Sequence, residues 1–409
     1  MIQMKANDKN DGRRSNPLRI LANIYAAQKA SREMTGGALR YAALHPEIEL
    51  ELYGLGTPHR TIEDMRGWRP DGVIVSTEEE SEIRRIERIG CRAMVCVNAD
   101  VRAKTRLSCG SVFCDAGAVA EAAVGLFERR RLRHVAYVGT RIAETWSLRR
   151  GEAVGRRAAA QGLSFAAFPG PDSPRHGPQR EIAAMARWIA AQPKPCGIFA
   201  ANDMRARDVL EACRIAGAGV PQQVMVLGAD NEEFVCRQTR PSLSSLLPDF
   251  EQGGFLAAEM LVALLTGGPN GQLKRVFGVR GIVERLSTSD PNEAGRMVVR
   301  AEEFIREHAT TPGIRVADVA RASFASVRLL EKNFKSATGA TVCEAIQAVR
   351  LRRVCSLLEE TETPIGQIGE LSGFENDGYL KRLFRSRFGS TMRAFRTAHR
   401  ATSNGAGTF

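Results

Sequence analysis

The chain has 409 residues, 44% of them apolar, enough for two or three domains with buried cores. Its 58 Lys/Arg outnumber 46 Asp/Glu, and the resulting charge of +12 favours a polyanionic partner. No apolar run reaches the 18 or so residues of a membrane span, and residues 1–16 hold none long enough for a signal peptide, so a cytoplasmic protein with no membrane contact and nine reduced cysteines is expected.

After the polar residues 1–16, read as a disordered tail, apolar runs alternate with helical patterns. Strand candidates fall at 18–24, 48–53, 73–76, 93–97, 112–114, 134–139, 165–168, 197–201, 224–228 and 242–246. Helix candidates fall near 27–44, 79–89, 116–131, 146–161, 179–191, 204–216 and 250–266. This βαβα order predicts an α/β domain over 17–286, with parallel sheets covered by helices on both faces. Ten strands in about 270 residues predict two lobes, whose ligand would sit in the cleft at the carboxyl ends of the strands.

Cys91-x4-Cys96 and Cys109-x4-Cys114 have a superficial zinc spacing. Residues five apart in a strand point to opposite faces about 16 Å apart, which tetrahedral zinc cannot bridge. Core cysteines are expected, with no metal and no cofactor.

The polar residues that follow strands are the candidate ligand contacts. Asp115 follows 112–114, Asn202 and Asp203 follow 197–201, and Asp230 and Asn231 follow 224–228. Carboxylates and amides placed so can form paired hydrogen bonds with neighbouring hydroxyls. Trp146 adds a flat apolar face and Arg150 a planar fork of donors. The plainer alternatives are helix caps for the Asp and Asn residues and a core position for Trp146.

Residues 287–296 (STSDPNEAGR) have the composition of a linker, 297–400 form a second, all-α domain, and 401–409 a flexible tail. Between 296 and 400 lie 18 Lys/Arg against 12 Asp/Glu, so half of the net charge sits in about a quarter of the chain. Ile365, Ile368 and Leu371 fall on one helical face, Gly373-Phe374 breaks the pattern, and Tyr379, Leu380, Leu383, Phe384 and Phe388 resume it. That is helix, turn, helix. The pattern also occurs at 316–339: Val319 matches Ile368 at a separation of 49. Leu330, Phe334, Lys335, Ser336 and Gly339 match Leu380, Phe384, Arg385, Ser386 and Gly389 at 50. Val342, Ala345, Ile346, Val349, Leu357 and Leu358 mark a long helix between the copies.

In the first copy Ser326 is placed to cap the second helix, with Leu329, Leu330 and Phe334 turned inward and Val327, Arg328, Glu331, Lys332 and Lys335 outward. In the second, Asn376 or Asp377 caps, and Lys381, Arg382 and Arg385 are outward. Arg328, Lys381 and Arg382 are candidates for base edges or nearby phosphates, and Lys332, Lys335 and Arg385 for backbone contacts on double-stranded operator DNA.

Residues 297–396 resemble the AraC-type DNA-binding domain through Ala320, Ser326, Leu330, Phe334 and Gly339, then Arg350 and Leu351, then Gly373, Phe374, Tyr379, Phe384, Gly389 and Arg396. Phe324 stands where the first turn of that family has glycine, Gly369 where it has alanine, and Met392 where it has proline. The run Asn202-Asp203, Gly217, Val220-Pro221, Gly228, Asp230-Asn231-Glu232 is similar to the LacI-type sugar regulators, whose core shares the periplasmic sugar-binding fold. The order of the two parts is that of the xylose-operon regulators. This resemblance implies that Asp115, Arg150, Asn202, Asp203, Asp230 and Gln252 contact the ligand. Those regulators carry an aspartate after the first strand where this chain has Lys29-Ala30-Ser31-Arg32-Glu33, so a sugar is implied as a class rather than xylose by name.

The expected function is a DNA-binding transcriptional regulator, an activator or a repressor. A small effector of sugar type closes two lobes and changes how a homodimer engages operator half-sites. The alternative is a core that serves dimerisation or protein contacts and senses nothing. No G-x-S-x-G, H-E-x-x-H or G-x-x-x-x-G-K-[ST] motif is present, so no enzyme is expected.

Overall fold

In this computed structural model, which describes residues 17–23, 28–53, 62–77, 79–99, 105–142, 144–170, 177–267, 273–289 and 293–397, the apolar runs form two six-stranded sheets. The first has the order β11-β5-β4-β3-β1-β2: Leu273–Phe277, Ser108–Cys114, Ala93–Val97, Gly72–Val75, Leu18–Asn23 and Ile48–Leu52. The second runs β12-β10-β9-β8-β6-β7: Val279–Val283, Ser244–Pro248, Val224–Ala229, Cys196–Ala200, His134–Val138 and Ser164–Ala167. Central strands such as β4, β6, β8 and β9 are buried at every residue, as parallel strands covered on both faces must be. β12 pairs antiparallel with β10.

The helices of this part are α1 Lys29–Leu44, α2 Glu80–Arg88, α3 Ala116–Arg129, α4 Thr145–Ala160, α5 Pro178–Ala191, α6 Asp203–Ile215, α7 Glu233–Gln238 and α8 Phe250–Leu265. The chain divides into two compact units. One holds β1, residues 31–112 and 251–275; the other holds 113–250 and everything described from 276 onward. The division therefore cuts the expected 17–286 domain and leaves its second lobe in one unit with the all-α region.

The expected linker begins too early. Ser287, Thr288 and Ser289 are fully buried: Ser287 Oγ donates to Val226 O at 2.6 Å and accepts from Ser244 N at 2.8 Å, and Thr288 Oγ1 bonds Ser244 Oγ at 2.6 Å. The chain leaves β12 stitched to β9 and β10. Cys91 and Cys96 were expected on opposite faces, yet both pack with Cys109 in one apolar cluster, because β4 starts only at Ala93 and Cys91 precedes it. Burial holds the Cys91 thiol up to about 12 and that of Cys109 to about 11, so both stay protonated.

The all-α region comprises α9 Glu293–His308, α10 Val316–Ala322, α11 Val327–Thr338, α12 Val342–Glu360, α13 Ile365–Leu371 and α14 Asp377–Phe388. It has two cores joined by one helix. Val342 and Ile346 of α12 pack with Val319, Leu330 and Phe334; Leu351, Val354, Leu357 and Leu358 pack with Ile368, Leu380 and Phe384. Arg350, at the middle of α12, donates to Ala309 O at 2.6 Å and lies 5.7 Å from the Phe374 ring, so it touches both halves.

Candidate ligand site and nucleic-acid interface

Six of the seven candidate ligand residues lie in the second unit, where the ends of β5, β8 and β9 turn into helices; Gln252 lies in the first, on α8. Asp115 Oδ1 accepts from Gly117 N at 2.8 Å and Ala118 N at 3.2 Å, and Asn202 Oδ1 accepts from Arg205 N at 2.9 Å. Both are caps, as the plainer alternative had it. Capping uses one atom of each, so Asp115 Oδ2 and Asn202 Nδ2 keep their bonding capacity among the described residues.

Arg150 is 4% exposed, donates to Ala201 O and lies 4.9 Å from the centre of the half-buried Trp146 indole. The bond from Arg150 to Ala201 O brings α4 to the end of β8, and the Cys114 thiol at the end of β5 feels the charges of Arg150, Asp230 and Asp115. Burial outweighs the opposing Arg150 charge and, with the two carboxylates, holds that thiol up to about 11.

Asp203 stands apart. At 1% exposure it accepts from Ser245 Oγ at 2.6 Å and from Glu232 N at 2.7 Å, while Ser245 Oγ accepts from Asn231 N at 2.9 Å. Both carboxylate oxygens are engaged in holding the turn 230–232, where Asp230 and Asn231 adopt φ of 95° and 51°. The structure thus makes Asp203 the support of Asp230. Burial, and then the Asp230 charge, push its carboxyl up to about 8. Gly228 permits this approach, since a Cβ there would collide with Asp203 Oδ1.

Three supporting residues were missed from sequence. Ser245 and Arg285 act through bonds to residues far away in the chain. Arg205, 5% exposed, donates to Gly139 O at 2.8 Å and pairs with the buried Glu181. A buried acid on an amphipathic helix was the one available signal, and Glu181 sits in the first turn of α5.

The two helix-turn-helix copies are built alike. Ser326 and Asn376 cap α11 and α14, accepting from Leu329 N at 3.3 Å and Tyr379 N at 2.8 Å, which settles the second cap on Asn376. Gly339 and Gly389 end the same helices at φ of 76° and 68°, each donating to a carbonyl four residues back at 2.9 Å. Val327, Arg328, Lys332, Lys335, Lys381, Arg382 and Arg385 are exposed.

Four apolar expectations fail here. Leu329 is 45% exposed because it sits about 100° round the helix from Leu330. Leu371, the last residue of the short α13, is 53% exposed. Tyr379 is 40% exposed, its hydroxyl accepting from Gln347 Nε2 at 2.6 Å, and Phe388 keeps 40% exposure while packing on Phe384 and Phe395. Glu331 is half-buried rather than outward, and Lys381 pairs with Asp377 at 3.2 Å.

A two-sheet α/β core followed by paired, capped recognition helices defines a sensor-type fold joined to a DNA-binding domain. Residues 124–288 match the periplasmic binding protein-like domain, and 319–398 match the helix-turn-helix domain. The xylose operon regulatory protein of Escherichia coli K12 is 26% identical over 337 residues, covering 82% of this chain and 86% of its own. That of Haemophilus influenzae is 27% identical over 281 residues, 68% of this chain and 72% of its own. The solved structure of a xylose-binding transcription activator matches 93% of this chain and 98% of that one, with a TM-score of 0.56 and 25% identity. The chain is a transcription regulator of this build and not an enzyme. Among the described residues no helix is long and apolar enough to cross a membrane.

Proposed function

We propose that the chain is a cytoplasmic, homodimeric regulator that binds double-stranded operator DNA through α11 and α14 and senses a monosaccharide at the carboxyl edge of β5, β8 and β9. The buried Arg150 carries this reading: it bonds Ala201 O next to Asn202, lies against the Trp146 ring, and acts with Asp115 and Asp230 on the Cys114 thiol. The spare Asp115 Oδ2 and Asn202 Nδ2 near an indole suit adjacent hydroxyls over an apolar ring face. Asp203 supports that edge. A core kept for pairing alone has no use for uncommitted polar groups at its strand ends.

The functional division runs as a sensor over 17–286 with the buried 287–289 attached to it, and a DNA-binding domain that begins with α9 at Glu293 and runs to 400. The relatives named for xylose make D-xylose the first sugar to try. Thermal unfolding with D-xylose, other pentoses and hexoses tests the reading: a ligand at 100 times its Kd adds about 2.7 kcal/mol to stability. A panel that leaves the transition unmoved removes the sensor role.

A further inference from the structure

We propose that Arg285 is a positioning residue that couples the turn 230–232 to α9, the first helix of the DNA-binding region, and so carries the effector signal; this rests on the sugar-sensing reading above. Arg285 is 2% exposed, and its fork divides between two directions: Nη1 donates to Leu243 O at 2.8 Å and Nη2 to Asn231 Oδ1 at 2.8 Å. Asn231 is the residue after Asp230, and its N–H is tied through Ser245 Oγ to Asp203.

A buried guanidinium normally has a carboxylate against it. Here none lies within ion-pair distance among the described residues, and the acid that answers its charge is Glu303 on α9, itself bonded by Ser242 Oγ at 2.5 Å. The like charge of Arg306, one turn on, also feels Arg285, and Glu307 pairs with Arg237 of α7 at 3.1 Å. Arg285 is therefore bonded to a neutral amide in the sensor turn, while the carboxylate that answers its charge stands unbonded to it on α9. Displacing Asn231 Oδ1 leaves one guanidinium arm unbonded, and turning toward Glu303 restores its bond.

There is room for α9 to respond. An open cavity of about 870 Å³ is lined by Val283 and Glu284, by Glu302 and Arg306 on α9, and by Phe334 and Ala337 of α11. A shift of α9 into this space moves the floor under a recognition helix.

The test uses the full chain and a duplex selected from a random pool by the wild-type protein. Amide exchange is read over 293–308, and duplex affinity with and without D-xylose. Arg285→Lys, which keeps the charge but loses the fork, should speed exchange in α9 by about fivefold or more. Effector coupling is typically about 5–150-fold, and in this variant the D-xylose-dependent change in duplex affinity should fall to about twofold or less, with D-xylose affinity from tryptophan fluorescence held within about threefold. Asn231→Asp in the Arg285→Lys background, giving the cation a charged acceptor, should restore part of the coupling. Should Arg285→Lys not fold, Asn231→Gly removes the acceptor while keeping the left-handed backbone. Unchanged α9 exchange, or full coupling in the variants, overturns the proposal. A wild-type protein indifferent to every sugar tried sinks the sensor reading alone, while α9 exchange still decides whether Arg285 connects the turn to the helix.

Discussion

Phe324 and Gly373 occupy equivalent places in the turns of the two helix-turn-helix copies and share a left-handed backbone, with φ of 55° and 81°. Their surroundings differ. A Cβ at Gly373 would lie 2.7 Å from Thr310 O, whereas Phe324 is 82% exposed with the Arg300 guanidinium 5.2 Å from its ring. The second turn needs glycine for space as well as for conformation; the first has open space and tolerates Phe324 at a conformational cost alone.

Gly373→Ala should therefore destabilise the chain by about 2 kcal/mol or more, because left-handed strain of roughly 1–2 kcal/mol adds to a clash with backbone. Phe324→Gly should stay within about 1 kcal/mol of wild type: relief of the same strain is offset by the lost cation–π contact and the greater chain entropy of glycine. Urea denaturation of the two variants measures the difference, and equal effects would contradict it.

Asp203 gives the stability a pH signature. Its carboxyl, raised from 3.8 to about 8 by burial and by Asp230, holds a proton in the folded chain that the unfolded chain has released. Its contribution is thus present at low pH and is lost as pH rises from about 4 to 8, with a slope of up to about 1.4 kcal/mol per unit. Asp203→Asn, which cannot ionise, should be less stable than wild type at pH 5, and the gap should close toward pH 8. A gap that widens with pH would show that the carboxyl is ionised in the folded state.

Asp230→Gly is the cleanest test of the ligand edge, because glycine keeps the φ of 95° and removes only the carboxylate. A hydrogen bond to a charged group is worth about 1.5–3 kcal/mol, so sugar affinity should fall roughly 10–100-fold. Duplex binding in the absence of sugar should not change. Fluorescence titration and a gel-shift assay read the two effects separately.

The sheet strands were legible because a parallel strand covered on both faces is a short unbroken apolar run, as GVIV and CGIFA show. LKRVF and VRGIV were not, since β11 and β12 are edge strands carrying Lys274, Arg275 and Arg280. The buried serines at 287 and 289 read as loop for a related reason. Composition shows a hydroxyl but not its partner, and the acceptor for Ser287 is Val226, 61 residues away. At the site, Asn202, Asp203 and Asp230 could be picked out by their place after a strand. That Asp203 lies beneath Asp230 depends on Ser245 and Glu232, which no local pattern points to. The cap at Ser326 was readable, and that of α14 was narrowed to Asn376 or Asp377, because each acts within four residues of itself.

On the DNA side, neighbouring cations should behave differently. Lys381 is held by Asp377 at 3.2 Å in an exposed pair, whereas Arg382 is exposed on the next position of α14 and corresponds to Lys332 in the first copy. Such pairs are worth under about 1 kcal/mol, so Lys381 can release Asp377 on binding, but the release subtracts from what it gains. Arg382 has no ion pair to break among the described residues. Arg382→Ala should weaken duplex binding by about 1–3 kcal/mol. If it reads a base, the loss should depend on sequence; if it touches only phosphate, all duplexes should suffer alike and the salt slope should drop by about one. Lys381→Ala should cost less than Arg382→Ala in both respects. Affinities measured across a salt series on selected and random duplexes distinguish these cases, and an Arg382→Ala protein with unaltered affinity and slope takes Arg382 out of the interface.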